Sequence, residues 1–264
     1  MFNVFLLFCI PVAIMWFVVF VWQWKKTPQN FYPNSRPLIF GHRGSPTEIT
    51  ENTLASFEKA INQGVDSLEF DVRLTKDKKI VIFHDSDLNR LAEVNKKIQE
   101  LTYKQLQEIK LKQNQRVPLL DDIIPFFDQV KAVNIEIKSD GIFKGHGIIK
   151  FLIQFLDKQN INDKCIISSF NPLILLRFKL QRPKTILGYL YNRNMIFHLW
   201  NNLIWMCRIR PENLHIHYSL LDSWIVKWAR SKGMKINSYT INDKKVLARA
   251  KIDGVFTDNI EYLK

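Results

Sequence analysis

From Leu38 to Phe256 the chain alternates between short apolar runs and longer stretches of helical period. Strand-like runs lie at Leu38–Gly41, Ser67–Val72, Ile80–Phe83, Val133–Ile137, Cys165–Ser168, Ile186–Tyr189, Leu214–His217, Ile236–Tyr239 and Gly254–Phe256. Helices are predicted at Thr53–Gln63, Tyr103–Ile109, Asp121–Val130, Ile148–Lys158, Pro172–Leu180, Ser223–Lys232 and Lys244–Ala250. Such alternation implies βαβ units and a parallel sheet. Eight or nine strands, with no second nucleotide motif, favour a closed (βα)8 TIM-like barrel over an open sheet. One interval breaks the rhythm. Val72 and Ile80 are too close in sequence for a parallel crossover, so a hairpin is expected around Lys76-Asp77-Lys78-Lys79. With Asp77-Lys78 at its centre, His84 falls opposite Asp71, and a one-residue slip would turn it to the other face.

Polar groups interrupt several of these runs at their ends. They are His42, Glu69 and Asp71, His84, and Glu136. A buried charge needs a partner or shifts its pKa, so five such interruptions suggest one shared site. The three carboxylates offer an all-oxygen donor set suited to Mg²⁺ or Ca²⁺ rather than zinc. The plainer alternative is a buried ion pair, which Lys138 could serve. His42 and His84 suit proton transfer near neutral pH, against a structural role as satisfied strand residues. Arg43 presents a planar fork to a phosphodiester, or else a salt bridge to Glu51 or Glu69. Lys138 is a point charge for phosphate. Asn52 reads first as a cap for the helix that begins at Thr53, with support of the site beside Glu51 and Tyr239 as the alternative, and Glu51 as a holder of Arg43 or of the metal shell. Asp85 reads as a turn or helix cap, outside the site. His215 and His217 read as a structural pair, with one of them lining a substrate glycerol as the alternative. Ser168-Ser169-Phe170-Asn171 ends a strand, where its hydroxyls would line the pocket or cap the helix opened by Pro172.

The first charged side chain is Lys25. Phe2–Trp24 is long enough to cross a bilayer as a helix, with Trp16, Trp22 and Trp24 near an interface. No basic n-region or small-residue cleavage site is visible, so an uncleaved anchor is expected over a cleaved signal peptide. Lys25 and Lys26 would then place the domain in the cytoplasm. The organisation predicted is an anchor over 1–26, a Pro/Asn-rich linker over 27–36 and a barrel over 37–264. Met195–Ile209 is apolar but too short to span. It reads as a barrel helix, or as a rim segment that touches lipid.

The net charge of +13 fits anionic lipid or acidic substrates. No nucleic-acid-binding pattern accompanies it. Cys9, Cys165 and Cys207 have neither zinc nor disulfide spacing. A hydrophobic content of 47% is ample for a full core.

The segments Gly41-His42-Arg43-Gly44, Glu51-Asn52-Thr53, Glu69-Phe70-Asp71, His84-Asp85, Glu136-Ile137-Lys138, Ser168-Ser169-Phe170 and Tyr239-Thr240-Ile241-Asn242, in this order and spacing, resemble the glycerophosphodiester phosphodiesterase family. The resemblance runs from about Leu38 to the C-terminus. It implies that Glu69, Asp71 and Glu136 are metal ligands and that His42 and His84 are catalytic. Where Tyr239 stands the family often has tryptophan, and tyrosine keeps an aromatic wall. The implied reaction is hydrolysis of a diester such as glycerophosphocholine to glycerol 3-phosphate and an alcohol. Two rivals remain at this point. One is a lysophospholipase D acting on membrane lysolipids; the other is a catalytically silent phosphodiester-binding protein. Oligomeric state and head group are not encoded in these motifs.

Overall fold

The computed structural model describes residues 10, 12–194 and 198–261. Its strands in chain order are β1 (Leu38–His42), β2 (Ser67–Leu74), β3 (Ile80–Ile82), β4 (Asp87–Leu88), β5 (Val94–Lys97), β6 (Ala132–Ile137), β7 (Cys165–Ser169), β8 (Ile186–Leu190), β9 (Asn213–His217), β10 (Lys235–Tyr239) and β11 (Gly254–Thr257). Eight of them pair in parallel in the ring order β1-β2-β6-β7-β8-β9-β10-β11, and β11 returns to β1. The result is the closed (βα)8-type barrel that the alternation predicts. Every residue of β6, β7 and β8 is buried, as expected of strands covered on one face by helices and on the other by the barrel interior. The apolar positions between sheet and helices form one large core.

Local signals set the helix starts. Thr53 accepts the Ser56 amide ahead of helix Leu54–Asn62. Asn171 accepts the Leu173 amide ahead of a helix with Pro172 at its first position. The helix expected at Asp121–Val130 is a 3-10 segment, Leu120–Gln129, with Pro125 inside it. The second apolar stretch forms helix His198–Ile209, and residues 195–197 of that prediction lie outside the described residues.

The long β2 carries two neighbours on one edge. Residues 67–69 pair with β1, and Val72 to Leu74 pair with β3 running antiparallel. Lys78 turns the hairpin at a φ of 62°. The register differs from the predicted one by a single residue: Val72 faces Ile82, and the Phe83 amide donates to the Asp71 carbonyl at 2.9 Å. Phe83, not His84, therefore stands opposite Asp71. The slip does not bury His84 in the wall, because the strand ends at Ile82 and the chain bends at 84–86.

Residues 83–119 make a satellite of which the sequence reading foresaw only the helix at Tyr103–Ile109, found as Tyr103–Glu108. The β4–β5 hairpin and helices Asn89–Ala92 and Tyr103–Glu108 enclose a separate small core with Phe83, Leu88, Leu91, Ile98 and Leu106.

Residues 2–9 and 11 of the expected anchor Phe2–Trp24 lie outside the described residues. Among the described residues no helix is long and apolar enough to cross a membrane. Residues 12–16 are helical and Phe17–Val21 form a wider π-type turn. From there the chain follows the barrel. The Trp228 indole donates to the Val19 carbonyl at 2.8 Å, and Lys232 Nζ donates to the Trp22 carbonyl at 2.8 Å. Trp24 is buried. The segment 27–36, expected as a linker, has no helix or strand, yet Tyr32 is buried at the N-terminal end of the barrel. Its hydroxyl donates to Asn213 Oδ1 at 2.9 Å and accepts from Asn237 Nδ2 at 2.7 Å.

Candidate active site

Strand register brings the predicted carboxylates together. His42 pairs with Glu69 across β1–β2, and Asp71 with Glu136 across β2–β6. Glu69 and Asp71 share a face by the two-residue period of a strand. Glu69, Asp71 and Glu136 are all buried, and one oxygen from each lies within 4.8 Å of the others. They stand at the C-terminal half of the barrel strands, where barrel enzymes place their chemistry. A cavity of about 170 Å³ opens there, lined by His42, Glu69, His84, Glu136, Lys138 and Tyr239.

Each acid sits in a different field. Burial and the neighbouring Asp71 charge push Glu69 up to about 8. Burial also raises Glu136, against the pull of Lys138. Asp71 is held well below the usual carboxylate range, because Lys138 and Arg43 outweigh its burial. Lys138 Nζ lies 3.0 Å from Asp71 Oδ1 and also pairs with Glu136. Arg43 Nε lies 3.2 Å from Asp71 Oδ2. Two cations thus face three buried carboxylates, and a raised Glu69 marks the uncompensated charge. Asp71 Oδ1 has no hydrogen bond of good geometry. An all-oxygen, electron-rich, buried set of this kind fits a hard divalent cation.

Arg43 reaches this position through a turn. Its own φ is 56° and that of Gly44 is 90°. A Cβ on Gly44 would meet Ser56 at 2.4 Å, so only glycine fits where the turn lies on that residue. The Arg43 guanidinium also pairs with Glu51 at 2.9 Å, one of the two partners that the plainer reading named. The cap expected of Asn52 falls to its neighbour. Thr53 caps the helix, while Asn52, at a φ of 57°, donates from Nδ2 to Asp71 Oδ2 at 2.9 Å. It orients a carboxylate rather than a helix end.

The two histidines flank the acids, and each is held through Nδ1 by a carboxylate. His42 Nδ1 is 2.6 Å from Asp258 Oδ1, and His84 Nδ1 is 2.7 Å from Asp85 Oδ1. A carboxylate only accepts, so each Nδ1 carries the hydrogen and each Nε2 is left to exchange protons. Burial lowers His42, but Glu69 and Asp258 outweigh it and its pKa is raised. Burial dominates at His84, with Lys138 and Arg43 adding to it, and its pKa is lowered.

Asp258 was missed by the sequence reading, although it follows a strand end just as the flagged residues do. Asp85, read as a plain cap, instead supports His84. The His215 and His217 pair is split by the strand's end. His217 is exposed and bonds Ser219 at 2.8 Å. His215 is buried between Gly188 and Phe256 and lines the floor of the cavity, neither ring nitrogen has a hydrogen-bond partner, and burial lowers it to about 3. Tyr239 forms the aromatic wall with Phe170, their rings at 84° and 6.2 Å apart.

The sequence profile of the glycerophosphoryl diester phosphodiesterase family matches residues 42–262. A glycerophosphodiester phosphodiesterase of Caldanaerobacter subterraneus is 31% identical over 86% of this chain and 96% of its own. A phosphodiesterase of Oleispira antarctica, solved with the product sn-glycerol-3-phosphate, superposes with a TM-score of 0.76 at 27% identity, covering 89% of this chain and 96% of that one. A human lysophospholipase D is 31% identical over 57% of this chain and 54% of its own. The barrel, its carboxylate cluster and these matches agree: the chain belongs to the glycerophosphoryl diester phosphodiesterase family and is a phosphoric diester hydrolase.

Proposed function

We propose that the protein hydrolyses a glycerophosphodiester to glycerol 3-phosphate and an alcohol, with a divalent cation held by Glu69, Asp71 and Glu136. The observation that carries this reading is the meeting of three buried carboxylates with two carboxylate-backed histidines in one cavity. When bound, the cation would polarise a phosphoryl oxygen and acidify a glycerol hydroxyl.

The chain's own groups then divide the work. Arg43 and Lys138 draw the anionic diester into the cavity and balance charge that develops on its equatorial oxygens. One histidine Nε2 takes the proton of the glycerol hydroxyl beside the ester as that oxygen attacks phosphorus. The other histidine donates its Nε2 proton to the departing alkoxide, and a cyclic phosphate forms. Water then attacks phosphorus, and the histidine that gave its proton takes one back. The first histidine returns its proton to the ring oxygen that leaves. Each imidazole ends as it began, and the sum is diester plus water to monoester plus alcohol. Asp258 and Asp85 keep the rings aimed through this exchange. The test is a panel of glycerophosphodiesters and lysolipids incubated with the purified protein and Mg²⁺ or Ca²⁺, with products identified. No monoester from any of them would favour the silent binding protein.

A second reading, lysophospholipase D, has one feature in its favour. A neighbouring cavity of about 310 Å³ shares Glu136, Lys138 and Phe170 with the site and adds apolar Ile137, Ile142 and Pro172 to its lining. The same panel decides it through release of lysophosphatidic acid.

We also propose that the N-terminal segment anchors the barrel to a membrane, with the barrel in the cytoplasm and the stretch from Val19 to Trp24 lying against the barrel rather than in the bilayer. The uncharged sequence up to Trp24 supports this, as does the exposed apolar face of Trp16, Phe17 and Phe20, which Phe20 extends to the exposed Trp224 at 6.2 Å. Cleavage after Trp24 would discard an indole buried in the barrel's side and the carbonyl that Lys232 bonds. A reporter fused after Lys264 and N-terminal sequencing of the mature chain test topology and retention. A reporter active outside the cytoplasm overturns this placement.

A further inference from the structure

Arg90 lies on the short helix Asn89–Ala92 of the satellite, outside the barrel, and nothing in the motifs of the site points to it. Its guanidinium nevertheless joins the two halves of that site. Nε donates to Asp85 Oδ2 at 2.7 Å, and the same carboxylate accepts from His84 Nδ1 through its other oxygen at 2.7 Å. The two terminal nitrogens of Arg90 fork onto Glu51, at 2.7 Å to Oε1 and 2.9 Å to Oε2. Glu51 in turn binds Arg43, which pairs with Asp71. The run His84–Asp85–Arg90–Glu51–Arg43–Asp71 is continuous.

Two facts show why such a brace is needed. His84 is not fixed by the sheet, because β3 ends at Ile82 and the hydrogen-bond ladder stops at Phe83. Its backbone is held instead by Arg73, whose Nε donates to the His84 carbonyl at 2.9 Å. That bond leaves the ring free to turn unless Asp85 holds Nδ1, and Asp85 is itself on a bend. By contrast His42 closes a regular strand, and its partner Asp258 accepts from Asn242 Nδ2 at 3.0 Å. The bidentate geometry on Glu51 with a third nitrogen on Asp85 matches a planar guanidinium and not a point-charge ammonium.

We propose that Arg90 is a positioning residue that aims His84, acting through Asp85 while anchored on Glu51. This inference rests on the proposed catalytic role of His84. The satellite is thereby a working part of the site: beside Arg73, which holds the His84 backbone, it supplies a side chain that ties Asp85 on the bend after β3 to Glu51 at the barrel mouth.

The experiment is steady-state hydrolysis of a glycerophosphodiester by Arg90→Ala made in two backgrounds of the full chain: unaltered and His84→Ala. In the unaltered background kcat should fall about tenfold or more while KM stays within about threefold, since the side chain aims a proton-transfer group. The same change should cost almost nothing on top of His84→Ala. Added guanidinium should restore part of kcat to Arg90→Ala, and Arg90→Lys should remain impaired. If Arg90→Ala does not fold, as judged by its thermal transition, Arg90→Gln carries the same comparison. A loss on top of His84→Ala as large as in the unaltered background, or no loss at all, overturns the proposal. A fully active His84→Ala enzyme instead removes the catalytic reading beneath it, which is a separate outcome.

Discussion

His42 and Asp258 lie 216 positions apart in the chain and 2.6 Å apart in space, Nδ1 to Oδ1. The last strand of the barrel thus closes onto the first both by hydrogen-bond pairing and by a half-buried carboxylate–imidazole contact. The Asp258 carboxyl stays below its usual range: burial works against this, and the His42 hydrogen bond and charge prevail. Asp258→Asn keeps the shape but offers Nδ1 an amide that can meet it as a donor. We predict a fall in kcat of about tenfold or more with little change in KM, by analogy with other imidazoles held in one tautomer by a carboxylate. Steady-state kinetics on the variant check it.

The two histidines should behave as one unit. His42→Ala and His84→Ala are each expected to lower turnover by about a hundredfold or more. The double variant should lose far less than the product of the two, because removing either partner already interrupts the proton exchange. Multiplicative losses would show that the rings act independently.

How much of this could be read from the chain differs by residue. Barrel strands were legible within a residue or two because each is a buried apolar run with its polar group at one end, and Glu69, Asp71 and Glu136 followed from the period of two. His84 was placed in the right site by a wrong register: Asp77 alone is the hairpin centre, and the ring reaches the cavity from a bend that periodicity does not describe. Asn52 was read locally, as a cap, and its real partner Asp71 is across the barrel mouth. Asp258 has the strand-end position as its one signal and Arg90 has none, since their partners are set only when the ring closes and the satellite folds. Of the satellite only the helix Tyr103–Glu108 was legible, because its strands are short and its core is small.

Buried His215 should leave a mark on stability. Its folded-state pKa is lowered to about 3 from 6.5 by burial. Below the unfolded value the unfolded chain binds a proton that the folded one refuses, so stability falls as pH falls from 6.5 towards 3, with a slope of at most about 1.4 kcal/mol per pH unit from this group. His215→Leu should flatten the pH dependence of unfolding free energy between about pH 6 and 4. Urea unfolding of both proteins across that range checks it, and parallel curves would contradict it.

The most direct measurement is hydrolysis of glycerophosphocholine by the purified full chain after exhaustive chelation and on readdition of Mg²⁺, Ca²⁺ or Zn²⁺, repeated with Glu69→Ala, Asp71→Ala and Glu136→Ala. The oxygen-only donor set predicts loss of glycerol 3-phosphate release on chelation and recovery with Mg²⁺ or Ca²⁺ better than with Zn²⁺. It also predicts no recovery in any of the three variants. Full turnover in excess chelator, or a cation response that survives loss of these carboxylates, would contradict it.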